Sequence, residues 1–466
     1  MSAPLAPTQR VEDAILYQGD VLDVLRQLPA GSVHCVITSP PYFNLRDYSY
    51  CDCALQRYAN AKFLTRDGSR RRHSGQLSTH DARCRKEPDP QCPKCCGSGR
   101  IEVVKDKQIG LENSPEEFVQ ALVRVFGELR RVLRDDGVAW LNLGDSYVTH
   151  ARGNKAPEGG SAAAVNRWQC ARTLDKSRLA GCKLKDLLMM PARTALALQA
   201  EGWFLRAALP WCKRSPMPES CSDRPATALE WVFQLTKCAD YFFDLQAVRQ
   251  LPKSLSGKTM RERPQAGRGL RSADLWFESI EGPHGLVGVG DELLGLDVVT
   301  SSYSGAHFAA FPQALVQPLL LTSTSQRGCC AACGAPYVRQ TKKQRRATRP
   351  GLHTKVDKYR DDPEAARRYR TKPNRDPQRH VTDVATLGWQ ASCACRAKVV
   401  PCVVLDPFAG HCTVGLVAQR YQRAFVGIDV NPEYLRAGAE RLRRRGRGDR
   451  ARRLATETDW LEELQS

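Results

Sequence analysis

The stretch from Val399 to Asp429 constrains the fold more than any other. An apolar run, VVPCVVL, ends at Asp406-Pro407-Phe408-Ala409-Gly410; a helix-length segment follows, and a second apolar run, AFVGI, ends at Asp429. A strand, a glycine turn, a helix and a second strand closing on an acid form the βαβ arrangement that holds a nucleoside, with the acid accepting from both ribose hydroxyls. No P-loop lysine accompanies the turn, which disfavours a triphosphate.

The rest of the chain supplies a sheet for this unit. Residues 14–38 read as strand, helix, strand: AILYQGD, then VLDVLRQL at helical apolar spacing, then the buried run VHCVIT. Ser114-Pro115-Glu116-Glu117 is a helix start, with Ser as N-cap, Pro at the first position and acids at the positive end of the dipole. The helix FVQALVRVFGELRRVL follows, Asp135-Asp136-Gly137 stops it, and VAWLNLGD is the next strand. Further on, KDLLMMPARTALALQAEG reads as a helix, FLRAALPWC as a strand, ATALEWVFQLTK as a helix and DYFFDL as a strand. This alternation predicts an α/β fold, a doubly wound and mainly parallel sheet with helices on both faces. Between the units lie a polar Cys-, His- and Arg-rich insertion at 51–100, a Gly/Ala/Lys/Arg-rich loop at 150–182 and a weakly periodic stretch at 250–305. A strongly basic excursion at 341–390 is expected to be flexible.

With 466 residues the chain can bury a full α/β core and still carry smaller modules. No apolar run approaches the ~20 residues of a membrane span. The N-terminus lacks the charged start and apolar stretch of a signal peptide, so a cytoplasmic, nucleoid-associated location is expected. A formal net charge of +20 fits a polyanionic partner, although basicity also serves solubility. Nineteen cysteines in such a chain argue for metal ligands or buried thiols rather than disulfides.

The strongest local motif is Thr38-Ser39-Pro40-Pro41-Tyr42, at the C-terminal end of the VHCVIT strand, where open α/β sheets bind ligands. Pro40 and Pro41 fix φ twice and remove two donors, leaving nearby carbonyls free to accept from an amino group. Ser39 adds a hydroxyl acceptor and Tyr42 a flat face for stacking. The set suits a flipped-out base, whose amino group is held by acceptors that steer its lone pair while the ring is clamped. A rigid turn with a packed tyrosine is the bland alternative.

Two cysteine sets have metal-ligand spacing. Cys51-x-Cys53 with Cys92-x-x-Cys95 makes one four-thiolate group, with Cys96, Cys84 and His80 as spares. Cys330-x-x-Cys333-Gly with Cys393-x-Cys395 makes the other, with Cys329 spare. CxxC followed by Gly is a zinc-knuckle turn, and two such halves close a tetrahedral structural site with no open position for catalysis.

Taken together, these motifs resemble the β-group of amino-methylating DNA methyltransferases, in which an SPPY-type catalytic motif precedes an FxGxG-type cofactor motif. The resemblance covers nearly the whole chain: Gly19-Asp20, TSPPYFNLRDY, WLNLGDSY, KLKDLLMMPARTALALQAEGWFLR, Met217-Pro218-Glu219-Ser220, Asp223-Arg224-Pro225, AHFAAFP and Asp406 to Tyr434. It implies a circularly permuted Rossmann-like methyltransferase using S-adenosylmethionine. Ser39, the Pro40 carbonyl and Tyr42 would hold the base. Asp406, Phe408, Ala409 and Gly410 would cradle the methionine end of the cofactor, with Thr413 in the same loop and Asp429 at the ribose. Asp20 would lie near the adenine, and Phe311 and Pro312 would close the pocket. The family's Phe-x-Gly-x-Gly-Thr reads here Phe408-Ala409-Gly410-His411-Cys412-Thr413, so a cysteine stands where the second glycine is usual. If that position needs φ > 0, Cys412 costs about 1–2 kcal/mol.

The expected layout places the catalytic half at 1–50 and 101–245 and the first zinc insertion at 51–100. Target recognition falls at 246–305, the cofactor half at 306–328 and 396–445, the second zinc insertion at 329–395, and a tail at 446–466. Ring-carbon methylation needs a thiolate nucleophile, and the nearest thiol, Cys402, sits in an apolar strand and reads as core. Direct attack by an amino nitrogen needs none, and Ser at position 39 leans toward cytosine N4 over adenine N6. A DNA-binding protein with decayed catalysis, motivated by Cys412, is the alternative from another class. Expected partners are double-stranded DNA and, in function, a cognate restriction endonuclease, with no membrane; monomer and homodimer both stay open.

Overall fold

The computed structural model describes residues 7–43, 107–148, 181–213, 223–225, 227–248, 312–347 and 380–449, with two-residue strands at 63–64, 70–71 and 296–297. In chain order the elements are β1 (Gln9–Val11), β2 (Ala14–Gln18), α1 (Val21–Leu25), β3 (Val33–Thr38), α2 (Pro115–Val132) and β4 (Leu133–Leu143). Then come α3 (Met190–Ala200), β5 (Phe204–Cys212), β6 (Leu229–Thr236), β7 (Leu296–Asp297), α4 (Gln313–Ser323), β8 (Cys329–Cys330), β9 (Tyr337–Ala347) and β10 (His380–Ala391). The last are β11 (Val399–Val400), β12 (Val403–Asp406), α5 (Thr413–Arg420), β13 (Ala424–Asp429) and α6 (Pro432–Asp449).

Nine strands form one sheet in the order β1-β2-β13-β12-β3-β4-β6-β5-β7. The five from β2 to β4 run parallel; β1 and β6 are antiparallel to their neighbours. Alternate strand residues point to opposite faces, and each face meets its own helices. Leu16, Cys35, Ile37, Val138, Trp140, Val404 and Phe425 pack beneath α4, α5 and α6. Ile15, Tyr17, Val36, Ala139, Leu141, Leu405 and Val426 pack beneath α1, α2 and α3. The doubly wound sheet read from the sequence is therefore the one observed.

Helix α2 follows its sequence signals closely. Ser114 accepts from the Glu117 N–H at 3.1 Å, Pro115 opens the first turn, and Phe118, Leu122, Val125, Phe126, Leu129 and Val132 are fully buried at helical spacing. Burying each such side chain contributes about 1.5–3 kcal/mol. Among the described residues no helix is long and apolar enough to cross a membrane.

Four expectations need correction. Residues 226–237 were expected as a helix, yet Leu229–Thr236 is strand β6, paired on both sides by β4 and β5. A strand covered on both faces has no period-2 pattern, and its near-continuous apolar run mimics a helical one. The DYFFDL segment, expected as a strand, is irregular and leads into a short 3-10 turn, Leu245–Ala247. The helix expected from Lys185 starts at Met190: residues 185–188 instead pair with Ser146 and Val148, and the Asp145 carboxylate accepts from the Met190 N–H at 3.0 Å. At the ends of the basic excursion, β9 and β10 form an antiparallel ribbon rather than a flexible segment. Apart from residues 246–248 and 296–297 of the expected target-recognition stretch, and 63–64 and 70–71 of the first cysteine insertion, both segments lie outside the described residues.

Candidate active site

Strands β12 and β3 are adjacent and parallel, but the chain leaves them in opposite directions, β12 toward β13 and β3 toward β4. A crevice forms above the carboxyl ends of strands at such a switch point. The two motifs singled out in the sequence meet there. Thr38, the last residue of β3, donates its hydroxyl to Asp406 Oδ1 at 2.8 Å, and both side chains are buried. The link ties the Ser39–Tyr42 loop directly to the Asp406–Thr413 loop. Sequence reasoning quoted Thr38 but gave it no role.

On the β12 side, the Phe408 N–H also donates to Asp406 Oδ1, at 3.1 Å. The Ala409 N–H donates to the Ile428 carbonyl at 2.8 Å, and the Gly410 N–H to Asp429 Oδ2 at 2.8 Å. The Gly19 N–H donates to the Asp429 carbonyl at 3.1 Å, which brings the Asp20 turn to the same edge of the sheet. Asp20 itself caps α1, accepting from the Leu22 and Asp23 N–H groups. Thr413 is the first residue of α5, and Pro312 precedes α4; Phe311 lies outside the described residues. Burial raises Asp406 to about 7, with the Thr38 and Phe408 hydrogen bonds and the Asp429 charge as smaller influences. Burial likewise raises Asp429 to about 6. A buried carboxylate and a half-buried one, both supplied by neutral donors, suit a ligand that brings positive charge and hydroxyls. His411 stays a neutral imidazole, pulled down to about 4 by burial and then by Arg441.

On the β3 side the loop is anchored by Phe43, fully buried with its ring 5.6 Å from that of Phe118 on α2. Tyr42 is half-buried, and its ring lies close against Gly144, where an added Cβ would sit 2.6 Å from Cε2. Only glycine leaves that ring its place. Among the described residues, Phe43 and Gly144 are site-shaping residues that the sequence reading did not single out; the buried aromatic directly after the motif was the available signal. Cys402, weighed as a ring-carbon nucleophile, is fully buried and precedes β12, at the opposite end from Asp406.

The second cysteine set assembles at that opposite end. The Sγ atoms of Cys330, Cys333, Cys393 and Cys395 all lie within 4.8 Å of one another, a geometry that can hold a metal ion. Cys329, the expected spare, is buried instead in the core. It forms a compact group with His34 and Cys402, but both imidazole nitrogens are engaged. Nδ1 accepts from the Val403 N–H at 3.1 Å, so Nε2 carries the hydrogen and donates to the Gly334 carbonyl at 2.8 Å. Arg134 adds a bond to the Cys333 carbonyl at 2.6 Å. The cysteine module is thus docked under the starts of β3 and β4, away from the reactive loops. Cys51, Cys53, Cys92 and Cys95 lie outside the described residues.

Cys412 occupies the left-handed region at φ 57°, ψ 43°, so the position does demand what glycine supplies easily. Its side chain is fully buried, and burial pushes the thiol up, keeping it protonated. Room for the sulfur comes from Gly438 on α6: a Cβ there would lie 2.5 Å from Cys412 Sγ. The departure from the family pattern is matched by a glycine on the facing helix. Two outcomes follow for thermal or denaturant unfolding. Gly438→Ala destabilises by about 1–3 kcal/mol through overpacking, and pairing it with Cys412→Gly restores most of that loss. An additive double variant counts against the pairing.

Comparison with known proteins agrees with this geometry. A family model described as DNA methylase (N6/N4) matches residues 33–331 and 402–440. The chain is 30% identical over 430 residues to the Type II methyltransferase M.XycI of Xanthomonas campestris pv. cyanopsidis, covering 92% of this chain and 87% of that one. It is 29% identical over 429 residues to M.Cfr9I of Citrobacter freundii, with the same coverage. Among solved structures, a PvuII DNA methyltransferase (cytosine-N4-specific) is similar at 14% identity and a TM-score of 0.43, covering 98% of this chain and 93% of that one. With the motifs, the family match and the full-length relatives in agreement, this chain belongs to the amino-methylating N6/N4 DNA methylase family.

Proposed function

We propose that the protein methylates cytosine N4 in double-stranded DNA, as the modification half of a restriction–modification pair. As a member of a methyltransferase family it takes its methyl group from S-adenosylmethionine. The observation that carries the reading is the Thr38–Asp406 bond, which sets the base-holding loop against the cofactor loop. Ser39 and the Pro40 carbonyl accept from the amino group, and Tyr42 clamps the ring. Asp406 with the Phe408–Gly410 backbone holds the amino-acid end of the cofactor, Asp429 its ribose, and Asp20 and Pro312 flank the adenine. The bound cofactor supplies an electrophilic methyl; the protein supplies proximity, in-line orientation and exclusion of water. Ser39 in place of an acid favours cytosine, and N4 attack needs no thiolate, consistent with the burial of Cys402. The net charge of +20 supports a DNA partner, with residues 246–305 as the region that reads the site.

The direct test incubates the protein with unmethylated DNA and labelled S-adenosylmethionine, then identifies labelled nucleosides by mass. N4-methyl-2′-deoxycytidine is expected, and Ser39→Ala lowers the yield by at least about tenfold. Labelled N6-methyladenine instead overturns the base assignment and keeps the mechanism.

The buried carboxylates give a pH signature. Asp406 at about 7 and Asp429 at about 6 lie above the ordinary carboxylate value of 3.8, so the cofactor-free fold holds protons that the unfolded chain releases. Its stability accordingly falls as pH rises from near 4 toward 7. A cationic ligand needs the ionised forms, so affinity moves the other way. Calorimetry is expected to show binding at least about thirtyfold weaker at pH 5.5 than at pH 8, with proton release near pH 6.5. Asp406→Asn removes most of that pH dependence; an unchanged slope argues against Asp406 as the group that titrates.

Structural zinc in the Cys330, Cys333, Cys393 and Cys395 set belongs to the same reading, with a second ion at Cys51, Cys53, Cys92 and Cys95. Tetrahedral thiolates at about 2.3 Å from zinc stand about 3.8 Å apart, which fits the observed cluster. Metal analysis of the purified protein is expected to give one to two zinc equivalents. Cys393→Ser then lowers the melting temperature by several degrees while leaving cofactor affinity nearly unchanged, because the cluster sits at the far end of the sheet.

A further inference from the structure

Beside Tyr42 lies a buried polar group that neither clamping nor cofactor binding requires. Glu230 is the second residue of β6, 8% exposed, and Asn142 on the adjoining β4 is 4% exposed. The Tyr42 hydroxyl donates to Glu230 Oε2 at 2.5 Å. Asn142 Nδ2 donates to the same carboxylate oxygen at 2.9 Å and to Tyr42 Oη at 2.8 Å. Lys213 at the end of β5 donates to Glu230 Oε1 and supplies the opposing charge. Ser39 Oγ reaches Tyr42 Oη at 3.3 Å.

Stacking alone asks for no hydroxyl, since phenylalanine offers the same ring. The hydroxyl matters for the direction of the hydrogens. A carboxylate paired with lysine only accepts, so the Tyr42 proton is committed to Glu230. Tyr42 Oη is then left with lone pairs, and the Asn142 amide already donates to it. Ser39 can meet Tyr42 only as a donor; one of its lone pairs then faces the Asn142 amide, 3.4 Å away, and the other turns outward. A target amino group, itself a donor, finds an acceptor there rather than an opposing hydrogen. The Asn142 carboxamide is oriented by the same carboxylate, and its buried Oδ1 has no hydrogen-bond partner among the described residues.

We propose that Glu230 is a positioning residue for methyl transfer: it sets the direction of the Ser39→Tyr42→Glu230 chain so that Ser39 presents a lone pair to the target amino group. The inference rests on the reading of Ser39 and Tyr42 as base-holding residues.

The test is a double-mutant cycle of Glu230→Gln, Tyr42→Phe and both together, assayed with labelled S-adenosylmethionine and unmethylated phage DNA, both saturating. Each single variant is expected to lower kcat at least about tenfold, with cofactor Kd and melting temperature close to wild type. The double variant is expected to be no slower than the slower single, since both break one chain. Losses that multiply in the double variant overturn the inference. So does a wild-type kcat in Tyr42→Phe, a variant that keeps the ring and carries the test alone if Glu230→Gln folds poorly. Ser39→Ala at full activity, or a wild-type protein that labels no DNA, identifies failure of the underlying reading instead, and the inference falls with it.

Discussion

The structure depends on one seam, the parallel pairing of β3 with β12 and the Thr38–Asp406 hydrogen bond at its upper end. The partners are 368 positions apart in the chain. On one side of the seam the sheet carries the base-holding loop; on the other it carries the cofactor loop. A single buried bond fixes their separation, and a donor and acceptor out of contact with water are costly to part. The crevice between the loops follows from the order of the strands. It needs no dedicated scaffold beyond the reversal of winding at that point.

Around the seam, the structure tolerates several groups that burial disfavours. Asp406 is a carboxylate held away from water, Asp429 is a half-buried one, and Cys412 sits in a backbone conformation that glycine adopts more readily. Each is supported locally: the acids by backbone N–H groups, the cysteine by the space that Gly438 leaves. Departures from local preference concentrated at one place mark a functional site rather than a fault in the fold. The strain at Cys412 is thus weak ground for reading decayed catalysis.

Much of this was legible in the sequence because the decisive signals are local. The Ser114 cap, the helical spacing of α2 and the acid closing β13 each depend on neighbours within a few residues. The SPPY loop and the Asp406 loop were recognised separately for the same reason. Their juxtaposition was not readable from spacing, since it is made by strand order. β6 was misread as a helix because a strand covered on both faces loses the alternation that identifies strands. Glu230 and Gly144 were invisible as site residues: their importance lies in what stands across from them on β5 and β4 and in the Tyr42 loop.

The lower end of the seam is also fastened from afar. His34 joins the start of β3 to Val403 and to Gly334, while Arg134 reaches Cys333. The ties along the seam therefore join early segments to late ones. Contacts of such span form slowly, and β3 has no β12 to pair with until the later strand has been made. The nascent protein cannot bring its two loops together until translation has passed β12. A copy that stops before Asp406 therefore lacks the crevice, whatever the first half of the chain does by itself.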